Sequence, residues 1–188
     1  MELVIKDKNI SLEDKIKNYI KDNFNIIYEL AKEMPIYLVG GSIRSLMLSL
    51  EPKDLDFIVL GCEYKDKLSK LINKFDMKYS YNKFGGYKIK YGEIVVDIWT
   101  NNDLFSAVEY NADGIFYYVN DDVIISLTFD DFIKNGVKKV NELNNIETTR
   151  INKINEFHKK YIELLGVENE NKWIKTKTRE IILWWECV

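Results

Sequence analysis

The sequence is poor in the residues that build most metal and redox centres. A single histidine, His158, excludes a multi-histidine metal site. Its two cysteines, Cys62 and Cys187, have no ligand-like spacing around them, which reads as free thiols in a reducing, cytoplasmic setting. No apolar run approaches the length of a membrane span. The opening MELVIKDKNISLEDK lacks the basic-then-apolar order of a signal peptide. Internal repeats and low-complexity linkers are also missing. Nor is there an excess of either charge: the net charge is −3, with lysines and acids interspersed. A wholly basic face that would bind nucleic acid without regard to sequence is therefore not expected, which leaves room only for a local basic patch.

What remains is an ordinary globular composition. At 188 residues, with 46% hydrophobic and 30% charged side chains, the chain suits one domain, or one domain with an appendage. Ser11 is placed to cap a helix, with Asp14 three residues on. Ile16, Tyr19, Ile20, Phe24, Ile27 and Leu30 then recur at helical spacing, with a break expected near Asn23 and an end before Pro35. A short apolar strand over 36–39 leads to Gly40-Gly41 and a helix from Ser42 to about Leu50. Residues 54–60 read as a strand whose second half is buried on both faces, and 64–75 as a helix. MKYSYNKF, GYKIKY and EIVVDIWT read as strands separated by glycine turns, and 114–119 with 122–128 as a further hairpin. Helices are expected over about 128–136, 146–165 and 171–186. The order implies an α+β fold, a mixed sheet flanked by helices with a helical C-terminal part.

Three carboxylates carry the chemical signal. Residues i and i+2 of a strand point the same way, so Asp54 and Asp56 share one face while Leu55 and Phe57 meet the core. Two carboxylates that close repel, and a divalent cation with oxygen ligands removes the conflict. The plainer reading is a polar strand entry after Pro52. Asp97 lies in the most apolar strand of the chain, where an ionised acid needs a partner. Lys88 or Lys90 across the hairpin offers a structural one, and a two-metal site shared with Asp54 and Asp56 offers a catalytic one. Between β-strand and helix, Gly40-Gly41 lets the backbone approach a phosphate, and Ser42 is a natural N-cap. Arg44, in the first helical turn, calls for an anionic partner.

The stretch LVGGSIRSLML…PKDLD resembles the head-domain signature of the poly(A) polymerase and CCA-adding enzyme family, within the polymerase-β-like nucleotidyltransferase superfamily. FGGYKIKYGEIVVDIWT is similar to the family's next hairpin, with Asp97 as the third acid. The match is firm over about 36–100 and weak over 101–165. The resemblance implies that Asp54, Asp56 and Asp97 are the catalytic acids and hold Mg²⁺ in a two-metal site. It implies that Gly40, Gly41, Ser42 and Arg44 grip the triphosphate of an NTP substrate. It further implies a head domain over 1–140, a helical extension packed on it over 141–188, and an RNA, tRNA-like acceptor.

The departures are specific. Ser45 and Ser49 replace the family's Asp and Gly, and NNDLFSAVEYNADGIFYY stands where an RRDFTINA-like segment is usual. No full neck, body and tail follow. A transferase with a protein or small-molecule acceptor, or a nucleotide-binding regulatory module, therefore stands beside the RNA reading. Near the C-terminus, Lys172, Lys175, Lys177 and Arg179 alternate with Trp173, Trp184 and Trp185, a pattern that reads better as a core-docking helix than as a base-stacking surface. Arg150, Lys153 and Tyr161 are placed to reach a nucleotide or to face solvent.

Overall fold

The computed structural model of the chain describes residues 10–141 and 148–168. Helices α1 (Leu12–Phe24) and α2 (Ile26–Ala31) precede strand β1 (Ile36–Val39), helix α3 (Gly41–Met47) and strand β2 (Asp54–Leu60). Helix α4 (Lys65–Lys74), strands β3 (Tyr79–Tyr81), β4 (Tyr87–Tyr91) and β5 (Ile94–Asn101), and the hairpin of β6 (Ile115–Tyr118) and β7 (Val123–Ser126) follow. Helices α5 (Phe129–Asn135) and α6 (Thr148–Glu168) end the described chain.

Local chemistry explains most of these boundaries. The Ser11 hydroxyl accepts the Asp14 N–H at 3.1 Å and starts α1. The break between α1 and α2 falls at Asn25, two residues beyond the expected point, and both helices turn Ile16, Ile20, Phe24, Ile27 and Leu30 fully into the core. The strand over 77–84 is shorter than expected, because Asn82 leaves the ladder to organise a turn. The expected helix over 171–186, with its lysines and tryptophans, and Cys187 lie outside the described residues; Cys62 is a free, exposed thiol.

The seven strands form one mixed sheet in the order β3-β4-β5-β2-β1-β6-β7. β2 and β5 pair parallel, whereas their neighbours pair antiparallel. One face carries Leu38, Leu55, Phe57, Val96 and Ile98 and packs against the helices, forming the main core. α6 joins this core through Ile154 and Phe157, whose ring lies 6.1 Å from that of Phe132. The opposite face is divided. A smaller cluster of Tyr37, Val39, Ile58, Trp99, Val108 and Phe116 covers one part, and the acids occupy the rest. Among the described residues no helix is long and apolar enough to cross a membrane.

Candidate functional site

Parallel pairing of β2 and β5 places Asp56 directly beside Asp97, with Asp54 beside Val95. Alternation keeps Asp54, Asp56 and Asp97 on the same face, at the end of β2 where Val39 of β1 pairs with Asp56 and the chain enters Gly40. Asp54 is exposed and Asp56 is half-buried. The Asp97 side chain is only 15% exposed, with Lys88 Nζ 3.4 Å from its Oδ2. Its Oδ1 is buried and has no hydrogen-bond partner. Burial, then the charges of Asp54 and Asp97, push the Asp56 carboxyl up to about 7, against the milder pull of Lys88 and Arg150.

Among the described residues no three His, Cys, Asp or Glu side chains converge as a ready-made metal cage. The donor set nevertheless suits a hard divalent cation: all ligands are carboxylate oxygens, one of them buried and unpartnered, and a cation would relieve the charge conflict at Asp56.

Gly40 is the cap of α3, with φ +79° and ψ −149°, a conformation that only glycine adopts without strain. A β-carbon there would sit 3.2 Å from Asp56 Oδ2, so the glycine also makes room for the carboxylate. Ser42 is not the cap. The helix begins one residue earlier, and the buried Ser42 hydroxyl donates to the Val39 carbonyl at 3.2 Å, so its side chain is committed to β1. Arg44 has found its anionic partner within the protein. Its Nη1 donates to the Ala112 carbonyl at 2.8 Å and to Asp113 Oδ1 at 3.0 Å, while Nη2 lies 3.8 Å from the position of a Gly41 β-carbon.

The segment 101–118 holds what the sequence reading missed. Glu109, Asn111 and Asp113 are all buried, around a short 3-10 turn over Asn111–Asp113. Asp113 Oδ2 accepts from Arg150 Nη2 at 2.9 Å, and Glu109 Oε2 accepts from Arg150 Nη1 at 2.7 Å. Asp113 thereby ties Arg44 of α3 to Arg150 of α6, and the Arg150 guanidinium lies over the Tyr110 ring at 5.6 Å. One signal was available: acids alternating with apolar residues in AVEYNADGIF need partners once buried. The partners themselves lie 37 to 69 residues away and could not be read from spacing.

Between α3 and α6 opens a cleft of about 290 Å³, lined by Gly41, Arg44, Ser45, Arg150, Lys153 and Lys160 among others. Of its cations, Arg44 and Arg150 are paired with the buried acids Asp113 and Glu109, and Lys160 with Glu156 at 2.6 Å, which leaves Lys153. Gly41, next to Gly40, joins this cleft to the acid face. Lys153, exposed to solvent, lines it, whereas Tyr161 packs its ring on Phe157 at 5.5 Å.

The fold is thus an α+β one, a mixed seven-stranded sheet flanked by helices and followed by a C-terminal helix. Its solved structural neighbours include a tRNA-processing enzyme in an apo form, with a TM-score of 0.51 and 20% identity, covering 78% of this chain and 50% of that one. A CCA-adding enzyme in complex with ATP gives a TM-score of 0.54 at 18% identity, covering 84% of this chain and 46% of the other. A CCA-adding enzyme with CTP gives 0.50 at 20% identity, with 64% and 34% covered. The chain therefore spans half or less of the length of these structures. No family profile matches the chain, and no curated protein matches it in sequence.

Proposed function

We propose that this chain is a metal-dependent nucleotidyltransferase that moves a nucleoside monophosphate from an NTP to an acceptor hydroxyl and releases pyrophosphate. The observation that carries this reading is the lateral pairing of Asp56 with Asp97 on parallel strands, with Asp54 on the same face and one buried carboxylate oxygen left without a partner. A structural sheet has no use for such a cluster. The resemblance of the Gly-Gly, Arg and Asp-x-Asp order to the poly(A) polymerase and CCA-adding family, together with the shared fold, supports it.

Asp54, Asp56 and Asp97 would hold Mg²⁺, which, when bound, neutralises phosphate charge and activates the attacking hydroxyl. Asp97, on the buried side of the cluster, would draw the proton of that hydroxyl. Gly40 and Gly41 keep the backbone open beside Asp56, so that a phosphate can come close without meeting a side chain. Arg44 is held by Nη1 and offers Nη2 toward Gly41, and Arg150 stands behind it in the same cleft. Arg150 is held by Glu109 and Asp113, so the Nη2 of Arg44 and the ammonium of Lys153 would meet a triphosphate and the departing pyrophosphate. Catalysis in such a site is positioning and charge compensation. Residues 1–140 form the head in this reading, and 141–188 the extension that carries Arg150 and Lys153 to it, in a reducing cytoplasm where Cys62 stays a thiol.

The test is transfer from each of the four α-labelled NTPs with Mg²⁺, with and without total RNA and with the Asp56→Asn protein as control. Label that moves to an acceptor in wild type and not in the variant supports the reading. Equal transfer by both would overturn the assignment of the acids.

A further inference from the structure

The β3–β4 hairpin has a composition unlike the rest of the chain. Residues 77–91, MKYSYNKFGGYKIKY, contain four lysines, five aromatic residues and no acid, in a protein whose net charge is −3. The hairpin forms the edge of the sheet next to β5, the strand of Asp97. The local basic patch that composition left open therefore lies beside the acid cluster.

Its tip is built, not merely exposed. The Asn82 side-chain oxygen accepts the N–H groups of Phe84 at 3.0 Å and Gly86 at 2.9 Å, which closes the turn. Gly86 lies so close to β5 that an added β-carbon would come within 2.3 Å of the Ile98 carbonyl oxygen. This close approach seats Phe84 on Trp99, with ring centroids 4.8 Å apart and planes inclined by 24°. Phe84 is nevertheless 56% exposed, and Lys83 Nζ lies 5.0 Å from its centroid. A half-exposed aromatic ring, stacked on Trp99 and with the Lys83 ammonium over it, fits a nucleobase that takes the place of the ammonium while the lysine turns to its phosphate.

Trp99 follows Asp97 by two residues on the same face, so the stacked pair begins about 7 Å along the strand from the acids. Lys88, directly opposite Asp97 and 3.4 Å from its carboxylate, has its side chain 52% exposed. We infer that Phe84 on Trp99, with Lys83 and Lys88, is a stacking subsite for the 3′-terminal base of a single-stranded polynucleotide, whose terminal hydroxyl then reaches the acid cluster. A single strand is the better occupant, because bases inside a duplex have both faces stacked on their neighbours and only its ends could meet Phe84. A protein strand added to the β3 edge fits less well, since lysines flanking an edge strand oppose such pairing. The direction of the strand toward the acids rests on the proposed nucleotidyl transfer, whereas binding at Phe84 does not.

The experiment is fluorescence anisotropy of the full chain with a labelled single-stranded RNA of about 12 nucleotides, at low salt and without NTP. Loss of one stacking contact predicts that Phe84→Ala weakens binding by about 5- to 100-fold. Its melting temperature should stay at the wild-type value, and Phe84→Trp should retain affinity. Lys83→Ala should lower the log–log salt slope by about 0.7, as loss of one phosphate contact requires. Wild-type affinity in Phe84→Ala, or equal binding of a blunt duplex, overturns the subsite. A wild-type chain that ignores RNA but self-associates through the β3 edge assigns that edge to protein instead. If RNA binding depends on Phe84 but no nucleotide is transferred, the transfer reading fails and the subsite stands. Transfer to an acceptor other than RNA, unaffected by Phe84→Ala, sinks the subsite alone.

Discussion

Replacing Asp56 by Asn removes a charge that the fold holds against its preference. The carboxyl is raised from its ordinary 3.8 to about 7, first by burial and then by Asp54 and Asp97. At about 1.4 kcal/mol per pH unit, that rise of roughly three units corresponds to a penalty of about 4 kcal/mol on the folded state once the group is ionised. The sign follows from linkage. Below the unfolded value the proton is present in both states and nothing is lost. As pH rises toward 7 the unfolded chain ionises freely and the folded chain resists, so stability falls, then levels off above 7. Asn keeps the shape without the charge. Side-chain relaxation and water entry relieve part of the penalty; even half of it, about 2 kcal/mol, moves the melting temperature of a domain this size by roughly 4–8 °C. The assay is thermal denaturation of wild type and Asp56→Asn at pH 5 and pH 8 in EDTA, then at pH 8 with Mg²⁺. The variant should melt higher at pH 8, with the gap narrowing at pH 5, and Mg²⁺ should stabilise wild type more than the variant. A variant less stable than wild type at pH 8, or a gap independent of pH, would refute the reasoning, because the carboxylate would then be contributing to the fold.

Gly40→Ala meets both a left-handed backbone and the Asp56 carboxylate 3.2 Å away, so a loss of about 1–3 kcal/mol in chemical denaturation is expected, with transfer activity falling further than stability. Arg150→Ala leaves Glu109 and Asp113, whose side chains are 4% and 5% exposed, without their shared partner. Because Arg150 itself is partly open to solvent, about 2–3 kcal/mol is expected from urea unfolding. Arg150→Lys should recover only part, since one ammonium does not reproduce the two-carboxylate fork. At the other side of the sheet, burial pushes the Asp122 carboxyl up, but hydrogen bonds from Lys17 and Tyr117 outweigh it and hold the group below its ordinary range. Its contribution is therefore present above the unfolded value and is lost as pH falls through the folded one. Asp122→Asn should cost about 1–2 kcal/mol at pH 7 and nothing measurable near pH 2; a constant cost across that range would show that charge is irrelevant there.

The acids were legible because strand alternation is local: Asp54 and Asp56 must share a face wherever that strand goes. Asp97 was legible as an ionisable group in an apolar strand that calls for a partner, and Lys88 was correctly weighed as one. Gly40 announced a special backbone, and the structure adds why it must also lack a side chain. Ser42 was misjudged because capping is decided by where the helix begins, and a single-residue shift turned its hydroxyl back to β1. Glu109 and Asp113 went unread because their partners come from elements distant in the chain, and no periodicity records such a meeting.

By itself the sequence determined the succession of strands and helices, the shared face of Asp54 and Asp56, and the glycine elbow before α3, since each depends on backbone geometry over a few residues. Only the tertiary structure decided that β2 and β5 run parallel in the register that sets Asp56 beside Asp97, that Asp113 joins Arg44 to Arg150, and that Phe84 lies on Trp99. Those contacts depend on the order of strands in the sheet and on α6 docking against it, which arise from burial summed over the whole core and leave no local mark on the chain.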